Sequence, residues 1–279
     1  MSQRFRISRR RALEFGAALT ATLFWPVDCA AQQELGGAKV TTENGSLTVS
    51  AASGRPLYYA LVALSETYGW AVDYEDPIYS GAEVRDATDP KWLQEHPIGR
   101  RFYEPADHRF SASLGNVNGG NPEEFDLVNK LVELYNRTSD PGSFQLIRTS
   151  QGRFSVSGQS HSQTSSFFTR VLDRQMLPSS NRESASDALQ TLATQCGSAA
   201  GVSIGLGTVP SNALATSYVE RHEGPLNCRE QLGRILAALP HPARYALLYD
   251  INSRAYYLNV VTAHRLVVGP DGQMTVAPI

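Results

Sequence analysis

Two stretches of the chain carry the same apolar pattern. After Pro56, the residues Leu57, Ala60, Leu61, Leu64 and Tyr68 precede Gly69; after Arg182, the residues Ala185, Ala188, Leu189, Leu192 and Cys196 precede Gly197. Both sets run i, i+3, i+4, i+7, i+11 with glycine at i+12, the buried stripe of a helix ended by a glycine C-cap. Segments that alternate with period two follow each helix, Trp70–Tyr74 in one copy and Val202–Leu206 in the other, and read as strands. A second pair of helices matches as well, through Val128, Leu131, Val132, Tyr135 and through Leu232, Ile235, Leu236, Leu239. The first of these starts at Asn121-Pro122-Glu123-Glu124, an N-cap with proline and acids in the first turn. The second starts at Asn227 with Glu230 three residues on, the spacing of a capping box.

Each second helix leads into a hairpin. The first pairs Phe144–Arg148 with Arg153–Ser157 and the second pairs Tyr245–Tyr249 with Ala255–Val261. Leading strands are expected at Leu47–Ser50 and Phe168–Leu177, and middle strands at Arg109–Leu114 and Ala215–Glu220. A repeat of this kind predicts an α+β fold of two tandem small α/β modules. Each is a β-α-β-β-α-β-β unit with two helices packed on small sheets. Composition shifts set the boundaries: 1–31 an export signal, 32–46 a flexible lead-in, 47–158 the first module with an insertion at 79–109. A Ser/Gln-rich linker at 159–166 follows, then the second module at 167–268 and a tail at 269–279.

This order, with Pro56-Leu57, Ala60-Leu61, Ala63-Leu64, Tyr68-Gly69-Trp70 and Tyr74-Glu75-Asp76-Pro77, resembles the short N-terminal domain of secretins and TonB-dependent receptors. In the second unit the matching residues are Ala188-Leu189, Leu192-Ala193, Gly201-Val202, Leu232 and Ile235-Leu236. The likeness covers about 45–158 and 165–262 and rests mostly on core positions. The insertion Tyr79–Arg109 departs from the family pattern, and no receptor barrel or secretin ring follows in this chain. The resemblance implies protein–protein docking in a bacterial envelope, by a freestanding exported protein, rather than chemistry.

The N-terminus reads as an address. Arg4, Arg6, Arg9, Arg10 and Arg11 precede an apolar stretch, Phe15–Val27, that is long enough for a signal and too short to span a bilayer. Ser8-Arg9-Arg10-Arg11-Ala12-Leu13 is similar to the twin-arginine export signal, read through Arg9 and Arg10, with Ala12 where an aromatic residue is usual. Small residues up to Ala31 place the cleavage there, and Asp28 before Cys29 argues against a lipoprotein. Export to the periplasm or the medium is the expectation.

Cleavage changes the charge account. Of 25 basic and 27 acidic residues it removes five arginines, Glu14 and Asp28, leaving 20 and 25 and a net charge of −5. That balance argues against nucleic acid or anionic lipid as the partner. With a mean hydropathy of −0.27 and no apolar run of spanning length, the mature chain has no integral membrane segment. Cys196 and Cys228 remain, a pair expected to form a disulfide in an oxidising compartment.

Chemistry is sparse. None of the six histidines pairs with another at metal-ligand spacing. Nucleophile-elbow, P-loop and dinucleotide motifs are missing, and Gly201–Gly207 reads as loop or strand-edge geometry. Glu75-Asp76 before Pro77 reads as an exposed turn. No catalytic residue, cofactor or metal is therefore expected. The aromatics Trp70, Tyr74, Tyr79 and Trp92 are the candidate interaction surface for an envelope protein. The competing class is an exported enzyme or small-ligand binder with a site between the modules, for which an apolar pocket with convergent carboxylates and His108 would be the mark.

Overall fold

A computed structural model describes residues 33–35, 37–116, 123–138, 143–159, 170–177, 182–220, 222, 224–268 and 274–278. The export signal, the Asn121-Pro122 cap and nearly all of the 159–166 linker lie outside these residues. The described part begins with β1 (Gln33–Leu35), β2 (Ala38–Glu43) and β3 (Ser46–Ser53). Residues 38–43 are thus a strand and not a flexible lead-in. Ala38 and Val40 are buried opposite Val49 and Ala51, and Asn44 (φ 50°) with Gly45 (φ 78°) makes the tight turn. Positive φ at both central residues matches the twist of a two-residue hairpin, and Asn-Gly is the sequence that adopts it most readily.

Helix α1 (Pro56–Tyr68) follows with proline in its first turn, and Gly69 (φ 79°) closes it by donating its N–H to the Ser65 carbonyl at 2.7 Å. Then come β4 (Asp73–Glu75), the insertion with β5 (Val84–Asp86), α2 (Pro90–Glu95) and β6 (Tyr103–Pro105), and β7 (His108–Asn116). Helix α3 (Glu124–Thr138) and the hairpin β8 (Ser143–Arg148), β9 (Phe154–Gln159) complete the first half.

The second half runs through a 3-10 turn at Val171–Asp173, β10 (Gln175–Met176), β11 (Glu183–Ser184), α4 (Ala185–Ala200) and β12 (Ser203–Leu206). It continues with α5 (Ser211–Thr216), β13 (Tyr218–Val219), β14 (Leu226–Asn227), α6 (Cys228–Ala237) and the hairpin β15 (Ala243–Asp250), β16 (Ala255–Thr262). Strands β17 (His264–Val268) and β18 (Met274–Pro278) pair antiparallel, so the expected tail returns as a strand.

Four second-half expectations change. The helix runs through Gly197 and is capped by Gly201 (φ 69°); Gly197 instead lets Val202 approach, since a Cβ there would meet the Val202 carbonyl oxygen at 2.7 Å. The described part of 168–177 is a turn and a two-residue strand, and 215–220 divides between the end of α5 and β13. Asn227 caps α6 by accepting from the Glu230 N–H at 2.8 Å, but the Glu230 carboxylate accepts from Ser150 N and Oγ in the first half's hairpin turn (3.1 and 2.6 Å).

The fold is α+β, and its two halves share one sheet. Six strands lie in the order β12-β16-β15-β4-β9-β8, three from each half. Within each half the strand after the first helix pairs parallel with the second hairpin strand: β4 with β9, β12 with β16. The halves meet where β15 runs parallel to β4, with Ala246 opposite Tyr74 and Leu247 opposite Glu75. Following the pair directions across the sheet, the second half points up, up, down and the first half down, down, up. Such a reversal turns each half's helices to opposite faces of the common sheet.

Burial agrees with that geometry. Tyr74, Phe144, Phe154 and Val156 join α1, α3 and the sheet β1-β2-β3-β7 in one core, while Tyr245, Leu247, Tyr249, Tyr256 and Leu258 join α4 and α6 in another. Because side chains alternate along a strand, Asp73, Glu75, Ser155 and Ser157 share the face of Tyr245 and Leu247. Cys196 and Cys228 form a disulfide that ties α4 to the start of α6, with their Cα atoms 6.1 Å apart. No helix among the described residues is long and apolar enough to cross a membrane.

Candidate functional site

The face of β4 and β9 turned from its own helices is buried and charged. Glu75, 3% exposed, pairs with the Arg229 guanidinium and accepts from the hydroxyls of Ser155, Ser157 and Tyr245 at 3.2, 2.9 and 2.7 Å. Arg229, equally buried, also donates to Asp173 at 2.7 Å and Ser155 at 2.9 Å. Asp73 accepts from Arg153 Nη2 at 2.8 Å and from the Tyr245 N–H at 2.9 Å. Asp76 accepts from Arg55 Nε at 2.6 Å, the Tyr79 hydroxyl at 2.9 Å and the Tyr249 N–H at 2.9 Å.

These bonds stitch β4 to β15 by side chains where the ladder itself is two residues long. Buried charges persist only when paired and hydrogen-bonded, and here all three carboxylates are. Burial pushes the Asp73 carboxyl up to about 6, against the downward pull of Arg153. Burial likewise pushes the Tyr245 phenol up to about 12, opposed by Arg229, and raises Tyr79 with help from Asp76. The space beside Glu75 and Asp76 is about 10 Å³, room for about one water. The cluster therefore works as an ionic weld between the halves, closed to substrate. Glu75-Asp76 is correspondingly not an exposed turn: both residues are 3% exposed.

The aromatic candidates separate. Trp70, Tyr74 and Tyr79 are buried, Trp70 and Tyr74 in the first core and Tyr79 in the second, so they present no surface. Aromatic rings supply much of the area a small core needs, and these three are used that way. Trp92 behaves differently. It stacks on His96 (centroids 4.9 Å apart) and meets Phe102 edge-on at 5.8 Å. A Cβ on Gly99 would collide with its indole, so the chain must fold closely over the ring. Beside it Ile98 is fully exposed and Phe102 is 51% exposed. The tip of the insertion thus carries the packed pair Trp92 and Phe102 and, on the same segment, a fully exposed Ile98.

The insertion is anchored on the other half. Asn252, in the β15–β16 turn, accepts from the Tyr103 N–H and donates to the Tyr103 carbonyl, both at 2.8 Å, and Arg100 donates to the Asn252 carbonyl. Sequence reasoning kept Trp92 and missed Ile98 and Phe102. Their signal was an aliphatic and an aromatic residue in a charged, proline-bearing stretch.

A cavity of about 220 Å³ lies between α4 and the β10–β14 segment, lined by Met176, Leu177, Gln195, Glu220 and His222. Of the marks of the ligand-binding reading it has two carboxylates, Glu183 and Glu220, while His108 lies elsewhere, half-buried at the start of β7. Among the described residues no group of three or more His, Cys, Asp or Glu is placed to hold a metal ion. Compared with known proteins, the chain matches no family model, no curated protein and no solved structure.

Proposed function

We propose that the protein is an exported docking module of a bacterial cell envelope, binding an envelope protein through the tip of its insertion. The carrying observation is the half-buried Trp92 packed against an exposed Phe102, with a fully exposed Ile98 on the same segment, which is itself fastened to the β15–β16 turn. Exposed large apolar side chains gathered on one fastened segment favour an interaction site. The repeated strand–helix–strand–helix–hairpin order supports the kinship with secretin and receptor N-terminal domains, whose business is docking. A disulfide between Cys196 and Cys228 supports an oxidising compartment, reached through the signal at 1–31.

The test is capture from envelope extract with the wild-type chain and with Ile98→Asp/Phe102→Ser. A protein retained at high salt by the wild type and lost with the variant is the expected result. Equal recovery by both chains, or recovery of nothing specific, would remove the insertion tip as the docking surface. For the export step, Arg9→Lys/Arg10→Lys is expected to leave uncleaved precursor in the cytoplasm; unchanged processing would point to the general secretion route.

A further inference from the structure

A second surface lies across the insertion from the apolar tip. Strand β6 and the sheet face of β15 and β16 enclose an open groove of about 330 Å³, lined by Arg55, Tyr103, Glu104, Leu248, Tyr257 and Asn259 among others. Its two tyrosines are both accessible, Tyr103 at 39% and Tyr257 at 37%. The neighbours of Tyr257 along β16, Tyr256 and Leu258, are buried in the second core, so Tyr257 alone of the three turns its ring to this open face.

That ring is seated. Gly205 lies beneath it: a Cβ there would stand 3.1 and 3.2 Å from Tyr257 Cε1 and Cδ1. Gly207 does the same for Asn259, whose amide a Cβ would strike, while Asn259 Oδ1 accepts from the Thr208 N–H at 2.9 Å. Neither glycine has the positive φ that would explain it by backbone geometry. Gly205 in β12 and Gly207 just after it therefore clear space for two side chains on the groove floor. The opposite wall is fixed as well, because Asn252 holds the Tyr103 backbone at both its N–H and its carbonyl.

The charged groups of the groove are already engaged. Arg55 is paired with Asp76 and bonds the Tyr249 carbonyl, Glu104 is paired with Arg85, and the Asp250 oxygens are taken by neutral donors, Ser253 and Asn252, in its own turn. Among the described lining residues an anionic ligand finds no unpaired cation, and a cationic one only Asp250, whose oxygens are already bonded. What the groove offers is flat aromatic faces with phenol hydroxyls, in a polar trough at the small end of ligand-site volumes. We infer that it binds a neutral oligosaccharide, one sugar ring stacking on Tyr257 with its hydroxyls bonded by the tyrosines. This inference is independent of the docking surface, which lies on other residues of the insertion.

The experiment is calorimetric titration of the full chain with three tetraoses: chitotetraose, cellotetraose and maltotetraose. Saturable binding of at least one is expected. Tyr257→Ala should weaken it about tenfold and Tyr257→Phe about threefold, the first removing the stacking face and the second only a hydroxyl. Gly205→Val should weaken it as much as Tyr257→Ala, with the ring chemistry intact but displaced. Tyr103→Ala, on the other wall and outside the sheet, gives an independent reading if a sheet variant fails to fold. No binding of any tetraose, or binding unchanged in Tyr257→Ala and Tyr103→Ala, overturns the assignment.

Discussion

The two halves of the common sheet have the same strand order, yet the faces they turn from their own helices differ. On β4 and β9 that face carries Asp73, Glu75, Ser155 and Ser157, all buried under Arg229 and the 171–173 turn. On β15, β16 and β12 it carries Leu248, Tyr257, Asn259 and Gly205, and part of it is open to solvent. Both faces are opposed by the other half, because the reversal of strand direction points each toward its neighbour's helices. The lesson concerns how a repeated unit is joined to itself. A carboxylate-bearing face can be covered only if its charges are met: Arg153 and Arg55 of the same half meet Asp73 and Asp76, and Arg229 of the covering half meets Glu75. A face of glycine, aromatic and amide groups makes no such demand and is left accessible.

The largest expected effect comes from removing that countercharge. Arg229→Ala leaves Glu75 without its cation, and Asp173 with Arg170 alone at 3.6 Å, and should cost about 3–5 kcal/mol in urea denaturation. A cost below about 1 kcal/mol would mean that charge does not hold the closed face. The halves differ also in covalent support, since only the second has its helix pair joined. Cys196→Ala/Cys228→Ala should cost about 3–4 kcal/mol, and amides of α4 and α6 should lose exchange protection before those of α1 and α3. Uniform loss would show that the halves unfold as one.

Titration sharpens the contrast further. Asp73 has its folded pKa raised from 3.8 to about 6, so the native chain holds this proton more tightly than the unfolded chain does. Its contribution to stability is therefore fully present below pH 3.8 and is lost as the pH rises to about 6. The span corresponds to about 3 kcal/mol at full linkage. Denaturation of wild type and Asp73→Asn between pH 4 and 7 should show this slope in the wild type and its removal in the variant. The smallest effect is expected on the open face: Tyr257→Ser should shift stability by no more than about 0.5 kcal/mol. A loss approaching that of Arg229→Ala would erase the distinction between the faces.

Much of the fold was readable because its signals are local. The stripe from Leu57 to Tyr68, the Gly69 cap, the Asn227 cap and both hairpins depend on residues within a few positions of one another. The Asn44-Gly45 turn was equally local and was passed over because Thr41, Thr42 and Glu43 gave β2 a polar look. The shared sheet was not legible. Nothing near Asp73 or Glu75 announces that Arg229 and Tyr245 will cover them, so alternation with Val72 and Tyr74 reads as a wet face. Tyr79 misled for a related reason: it lies in the first half and fills the core of the second. Trp92 was identified, but Phe102 meets its ring only in the fold, where Gly99 lies against the indole.

The parallel pairing of β15 with β4 also bears on the order in which the chain is made. Asp73 bonds the amide of a residue 172 positions later, so during synthesis the first half waits, its carboxylates in water, until the last hairpin has left the ribosome. A long closure of this kind is slow relative to local helix and hairpin formation. The first half is then a partly built surface while the second is made, and residues 243–250 decide when it is finished. Chains released before that strand should retain α1 and α3 and present β4 as an open edge, the species a chaperone would be expected to hold.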